Sequence, residues 1–225
     1  MSNFTPKSLD RPRKQNTKSK VAAILHMLRR LYPNAHCALL YNSPFQLLIA
    51  TMLSAQTNDQ QVNRVTPHLF SVYPDAYAMA RASLPDLEKK IRSINYYRTK
   101  GKHIIQASRI IVERFGGSVP LRLEDLTSLP GVGRKTANVV IGELTNNPEG
   151  IVVDTHVKRV SQRLGLTTHQ NPELIEKDLM NQFPRREWVA LAHRLITHGR
   201  QICLARQPRC AACGLRHLCL QSLGA

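Results

Sequence analysis

From Val21 onward, apolar residues recur at helical spacing with few breaks. Val21, Ile24, Leu25, Leu28 and Leu31 share one face, and Pro33 stops that helix. Ser43-Pro44 reads as an N-cap followed by a first-turn proline. The segment it opens, Phe45-Gln-Leu-Leu-Ile-Ala-Thr-Met-Leu53, is apolar nearly all round and predicts a helix at the centre of a core. The same periodicity predicts helices near 59–70, 75–81, 84–92, 100–115, 122–128, 134–145, 155–164, 172–182 and 186–200. Gly116-Gly117 and Gly165 stand where C-terminal stops belong, and Asn171-Pro172 is a further cap signal. Ile151-Val-Val153 is the one strand-like triplet, too short to build a sheet, so the chain is expected to be all-α. Residues 1–20 are polar and basic without periodicity, and read as a disordered arm.

Charge turns this helical scaffold toward a polyanion. The 225 residues hold 32 Lys and Arg against 15 Asp and Glu, a net charge of +17. The first twenty carry Lys7, Arg11, Arg13, Lys14, Lys18 and Lys20 against Asp10, so most of the excess belongs to the folded part. Nucleic acid is the commonest partner of such a surface, although a ribosomal or membrane-surface protein shares the balance. No apolar run reaches the ~18 residues of a membrane span, so no membrane role is expected. With no signal-peptide core, a reducing intracellular compartment is expected, cytoplasmic and nucleoid-associated in a bacterium. Disulfides are then disfavoured. Cys37 reads as a small buried hydrophobe, whereas the cysteines crowded near the end suggest metal binding.

The most informative stretch is Leu129-Pro-Gly-Val-Gly-Arg-Lys135-Thr-Ala-Asn-Val-Val140. It reads as a short helix over Glu124–Ser128, a tight turn, and a second helix from Arg134. Gly131 and Gly133 permit unusual backbone and close approach of an anion, and the helix N-terminus aims N–H groups at it. Lys135 is then either one more phosphate-binding cation or an amine nucleophile. As a nucleophile it must shed its proton, which a helix N-terminus among other cations favours. Val153-Asp154-Thr-His156 places a carboxylate at the start of another helix. Asp154 suits an N-cap, but among cations it also suits stabilisation of an oxocarbenium-like state during glycosidic cleavage. The tail runs Cys203-x6-Cys210-x2-Cys213-x5-Cys219, four thiolates able to hold zinc or a [4Fe–4S] cluster. Between its first two cysteines lie Arg206 and Arg209, candidates for contact with a DNA backbone or merely solvated.

The Leu129–Val140 hairpin, the Val153–His156 segment and the cysteine spacing, in that order, resemble the endonuclease III family. These are bifunctional DNA glycosylases of the helix-hairpin-helix superfamily. The resemblance covers roughly residues 21–220. It implies a two-domain helix-hairpin-helix glycosylase fold: a six-helix barrel at 37–147, and an iron–sulfur cluster domain from 21–36 plus 148–225. It implies Lys135 as Schiff-base nucleophile, Asp154 as catalytic aspartate, and Cys203, Cys210, Cys213 and Cys219 as ligands of a [4Fe–4S] cluster. Leu53-Ser-Ala-Gln56 also matches, with Gln56 filling the gap left by a flipped base; without the resemblance it is a surface glutamine. Gly131, Gly133 and Arg134 of the hairpin join Arg206 and Arg209 as expected DNA contacts.

One departure stands in Ile94-Asn-Tyr96-Tyr97. Tyr96 falls where relatives often insert an aliphatic side chain between bases of the opposite strand, so opposite-base selectivity is expected to differ. The implied function is base excision repair by a monomer acting on duplex DNA with oxidised pyrimidines or abasic sites. An adenine mismatch-specific glycosylase is the nearest alternative, but that branch typically lacks the lysine and carries an extra C-terminal domain. A non-catalytic DNA-binding protein is the other, and it would not need both Lys135 and Asp154.

Overall fold

The computed structural model describes residues 17–145 and 147–223, so most of the expected arm at 1–20 lies outside the described residues. Its last four residues are helical, because α1 (Thr17–Leu31) begins at Thr17. The chain continues through α2 (Pro44–Ser54), α3 (Asp59–Val72), α4 (Ala76–Ala80), α5 (Leu84–Lys90) and α6 (Tyr97–Phe115). It then forms α7 (Leu123–Thr127), α8 (Arg134–Thr145), α9 (Thr155–Leu164), α10 (Pro172–Gln182), α11 (Trp188–Gln201) and α12 (Leu220–Leu223). Among the described residues there is no strand, and Ile151-Val-Val153 is extended without a ladder. None of these helices is long and apolar enough to cross a membrane.

Local chemistry sets the helix ends. The Ser43 hydroxyl accepts from Gln46 N at 3.2 Å, Asn58 Oδ1 from Gln61 N at 2.8 Å, and Asp75 Oδ1 from Ala78 N at 2.8 Å. Gly116 and Gly165 close α6 and α9 in the left-handed conformation that favours glycine. The tail also holds elements that periodicity did not foresee: 3₁₀ turns at Cys210–Ala212 and Arg216–Leu218, then α12.

Two hydrophobic cores form, and both are helical. In the first, α2 is the axis: Phe45 and Leu47 through Leu53 are all buried, and residues from Leu39 to Ile141 pack around them. In the second, α1 meets α9, α10 and α11, so the two ends of the chain share one core. Val21, Ile24, Leu25 and Leu28 of α1 are buried there, but Leu31 is 40% exposed. Its side chain lies over Gly214 at the rim of the core instead.

Two ion pairs and a histidine–carboxylate contact stitch the two lobes together. Arg134 on α8 meets Glu176 on α10, with Nε to Oε2 at 3.0 Å. Glu143 on α8 meets His193 on α11 at 2.6 Å, and Asp59 at the start of α3 meets Arg200 on α11 at 2.8 Å. Between these stitches lies a cleft.

Candidate active site

The cleft between the lobes has a volume of about 550 Å³. The first lobe supplies the loop after α2 and one face of α8; the second supplies the start of α9 and a face of α11. Lys135, Asp154 and Gln56 all line it, although ~20 residues or more separate each from the next in sequence.

Lys135 is the second residue of α8 and is exposed toward solvent at the cleft. The preceding hairpin explains this. Leu129 and Val132 are buried and anchor the turn, with Val132 N donating to Leu129 O at 3.1 Å. Gly131 between them has φ +78°, and a Cβ there would come within 2.9 Å of the His103 side chain. Gly133 differs. Its φ is not left-handed, and nothing lies within 4 Å of where a Cβ would sit. The fold demands glycine at 131 but leaves open space at 133.

Asp154 caps α9. One oxygen, Oδ1, accepts from His156 N at 2.8 Å and from Val157 N at 2.7 Å. Both cap bonds fall on that oxygen, which leaves Oδ2 for the cleft. His156 lines the cleft beside it. Burial holds its ring below the ordinary imidazole range, and Arg159 Nη2 stands 3.0 Å from Nδ1. Arg159 is always a donor, so Nδ1 accepts and the ring proton sits on Nε2.

Arg134 does not hang free at the hairpin. Its Nε and Nη2 both donate to Glu176, a carboxylate only 5% exposed that also accepts from Asn138 Nδ2 at 2.9 Å. The guanidinium expected at a DNA phosphate therefore has a second task, clamping the hairpin helix to α10. Arg206 and Arg209 are exposed on the loop between Cys203 and Cys210. Gln56 and Tyr96 are exposed as well, and both backbones are left-handed at φ 57°. Cys37 is half-buried in the cleft wall, and burial pushes its thiol up to about 11.

The four C-terminal cysteines line one pocket, walled by Val160, Leu164 and Ile202 and edged by Arg163, Arg209 and Arg216. Arg163 Nη1 donates to Leu204 O at 2.7 Å and to Cys203 Sγ at 3.3 Å, while Arg159 Nε donates to Cys203 O at 3.0 Å. Two arginines of α9 thus hold the cysteine loop; neither stood out in the sequence, where only their four-residue spacing puts both on one helix face.

Comparison with known proteins agrees with this architecture. Residues 49–185 match the family described as HhH-GPD superfamily base excision DNA repair protein. Endonuclease III of Synechocystis sp. is 50% identical over 202 residues, covering 90% of this chain and 92% of that protein. The chain belongs to the endonuclease III family. It is thereby a base excision repair enzyme, a DNA glycosylase with AP-lyase activity. Endonuclease III of Bacillus subtilis is 46% identical over 84% of this chain and 86% of its own length. Among solved structures, a trapped endonuclease III–DNA covalent intermediate superposes with a TM-score of 0.88 at 42% identity, covering 93% of this chain and 99% of that one. These similarities favour the endonuclease III family over both an adenine mismatch glycosylase and a non-catalytic DNA binder. DNA is the partner of its repair chemistry.

Proposed function

We propose that the enzyme removes oxidised pyrimidines from duplex DNA and then cuts the strand through a Schiff base at Lys135. The observation that carries this reading is the meeting of Lys135 and Asp154 at one cleft, with Gln56 on the same lining. A target nucleotide turned out of the duplex enters the cleft, and Gln56 fills the space it leaves. The Lys135 amine bonds to C1′ while the glycosidic bond breaks and its electron pair leaves with the base. Oδ2 of Asp154, outside the helix cap, faces the positive charge that develops on the sugar. Opening of the C1′–O4′ bond gives the iminium. Loss of the C2′ proton then supplies the electrons that expel the 3′ phosphate.

The hairpin N–H groups and Gly133 receive backbone phosphate, with Arg206 and Arg209 on the second lobe extending the basic track. Tyr96 enters from the opposite strand. That a related endonuclease III was solved as a trapped covalent intermediate with DNA supports the Schiff-base reading. The protein works as a monomer inside the cell.

The donor set near the C-terminus fits a [4Fe–4S] cluster. Cys203, Cys210, Cys213 and Cys219 share one pocket, and arginines at its edge balance thiolate charge. Four thiolates suit zinc or the cluster by ligand type, and membership of the endonuclease III family favours the cluster. Bound there, the cluster would fasten the loop carrying Arg206 and Arg209 through Cys203 and Cys210, against the α9 wall of the pocket, and would supply no bond-breaking chemistry.

Borohydride reduction on abasic or oxidised-pyrimidine duplex is expected to yield a covalent adduct that Lys135→Ala abolishes. An adduct that survives in Lys135→Ala sinks the assignment. Iron and acid-labile sulfide, roughly four of each per chain, are expected in the same preparation.

A further inference from the structure

The loop after α2 and the loop before α6 are built as one object. Among the described non-glycine residues, φ is positive at Gln56, Tyr96 and Gln207. The first two sit on these neighbouring loops with the same φ of 57°. Left-handed backbone at residues with a full side chain persists only where surroundings over-determine it. The surroundings here are specific. Asn95 Nδ2 donates to Gln56 O at 2.5 Å, and Asn95 N donates to Thr57 Oγ1 at 3.2 Å. Asn95 immediately precedes Tyr96, so a single residue ties the two strained positions together.

A second anchor lies beneath. Lys100 on the first turn of α6 is 9% exposed, and its ammonium points at the end of α2. Nζ donates to Leu53 O at 2.7 Å, to Ala55 O at 2.5 Å and to Thr57 Oγ1 at 3.3 Å. Three acceptors match the three donors of an ammonium. Two of them, the carbonyls of Leu53 and of the C-cap Ala55, stand at the carbonyl end of α2, where a positive charge is favoured. Lys100 pairs with no carboxylate among the described residues, so its buried charge is committed to the shape of the Gln56 loop.

We propose that Asn95 and Lys100 are positioning residues that lock the Gln56 and Tyr96 loops into one preformed, two-pronged probe of the duplex. The proposal rests on the reading that Gln56 and Tyr96 insert into DNA. Its physical advantage is preorganisation. Extruding a nucleotide already costs unstacking and unpairing, and loops that had to order at the same moment would add their entropy to that cost. A tether between the prongs also means that neither enters alone, so both strands are probed in one step.

The test compares four single variants with wild type: Asn95→Ala, Lys100→Met, Gln56→Ala and Tyr96→Ala. Each is assayed for glycosylase kcat/KM on a lesion-containing duplex and for β-elimination on single-stranded abasic DNA, where no base pair must open. A 2-aminopurine beside the target reports extrusion by its fluorescence. Asn95 is exposed and its truncation leaves the core untouched, so this variant carries the test should Lys100→Met fold poorly. Asn95→Ala is expected to lower the ratio of duplex to single-strand activity about tenfold and to blunt the fluorescence rise. In a Gln56→Ala, Tyr96→Ala background the same change is expected to cost little more, because the tether has no prongs left to hold.

If Gln56→Ala and Tyr96→Ala depress duplex activity while Asn95→Ala matches wild type in ratio and fluorescence, the tether is overturned and the insertion reading stands. If Gln56→Ala and Tyr96→Ala change neither readout, insertion falls and the tether falls with it. A full additional loss from Asn95→Ala in the prongless background would mark it as ordinary structural support and overturn a positioning role.

Discussion

On the proposed function, Asp154 divides a cap and a catalytic task between its two oxygens. Oδ1 takes both cap bonds of α9, and Oδ2 is left for chemistry. Asparagine caps a helix about as well as aspartate, whereas alanine loses about 1 kcal/mol at such a site. Asp154→Asn is therefore expected to melt within a degree or so of wild type yet lose on the order of 10²-fold in glycosylase rate. Asp154→Ala is expected to lose both. Thermal melting beside single-turnover kinetics checks the split, and a fully active Asp154→Asn would confine the residue to capping.

At the scale of elements, the hairpin between α7 and α8 separates two uses of glycine. Gly131 is required by the fold, since its φ is +78° and His103 occupies the space a Cβ would take. Gly131→Ala is expected to destabilise the protein by about 1–3 kcal/mol in urea unfolding. Gly133 meets neither constraint. Gly133→Ala is expected to leave stability within ~0.5 kcal/mol of wild type. DNA affinity should still fall, because the added methyl would stand in the path of the phosphate proposed to bind at the hairpin. Normal DNA binding by folded Gly133→Ala would remove the hairpin's second glycine from the interface.

For the whole molecule, closure depends on contacts between distant parts of the chain. Arg29 at the end of α1 donates to Glu187 at 2.6 Å, and Arg194 of α11 reaches the same carboxylate at 3.1 Å. The hydrogen bond from Arg29, more than any other contact, holds the Glu187 carboxyl below its ordinary range. A depressed carboxylate adds stability that is fully present above its unfolded value, near ~4.3, and is lost as pH falls through the lower folded value. Urea unfolding from pH 7 to pH 3 is thus expected to show wild type more stable than Glu187→Gln at neutral pH. The gap should close in acid, and a gap constant across that range would show that the ion pair contributes nothing.

Much of this was legible from residue order alone, and particular residues say why. The apolar stripe of α1, the continuous burial of α2 and the caps at Ser43, Asn171 and Asp154 all act within one or two turns, where side-chain type and spacing suffice. The all-helical class and the candidates Lys135, Asp154 and the four cysteines were open to that reading, whereas Gln56 stood out only through the family resemblance. What tertiary structure alone decides is which distant groups meet. Glu176 claims Arg134 across 42 residues, Lys100 grips the end of α2 from 47 away, and Asn95 joins Gln56 to Tyr96 across 39. Leu31 fits the stripe of α1 but ends at a rim over Gly214, because the neighbouring Tyr32 takes the buried place, its hydroxyl 2.8 Å from His198 Nδ1. Local pattern carries propensity and periodicity, but a left-handed Gln56 or a clamped Arg134 is dictated by the partner that folding brings up against it.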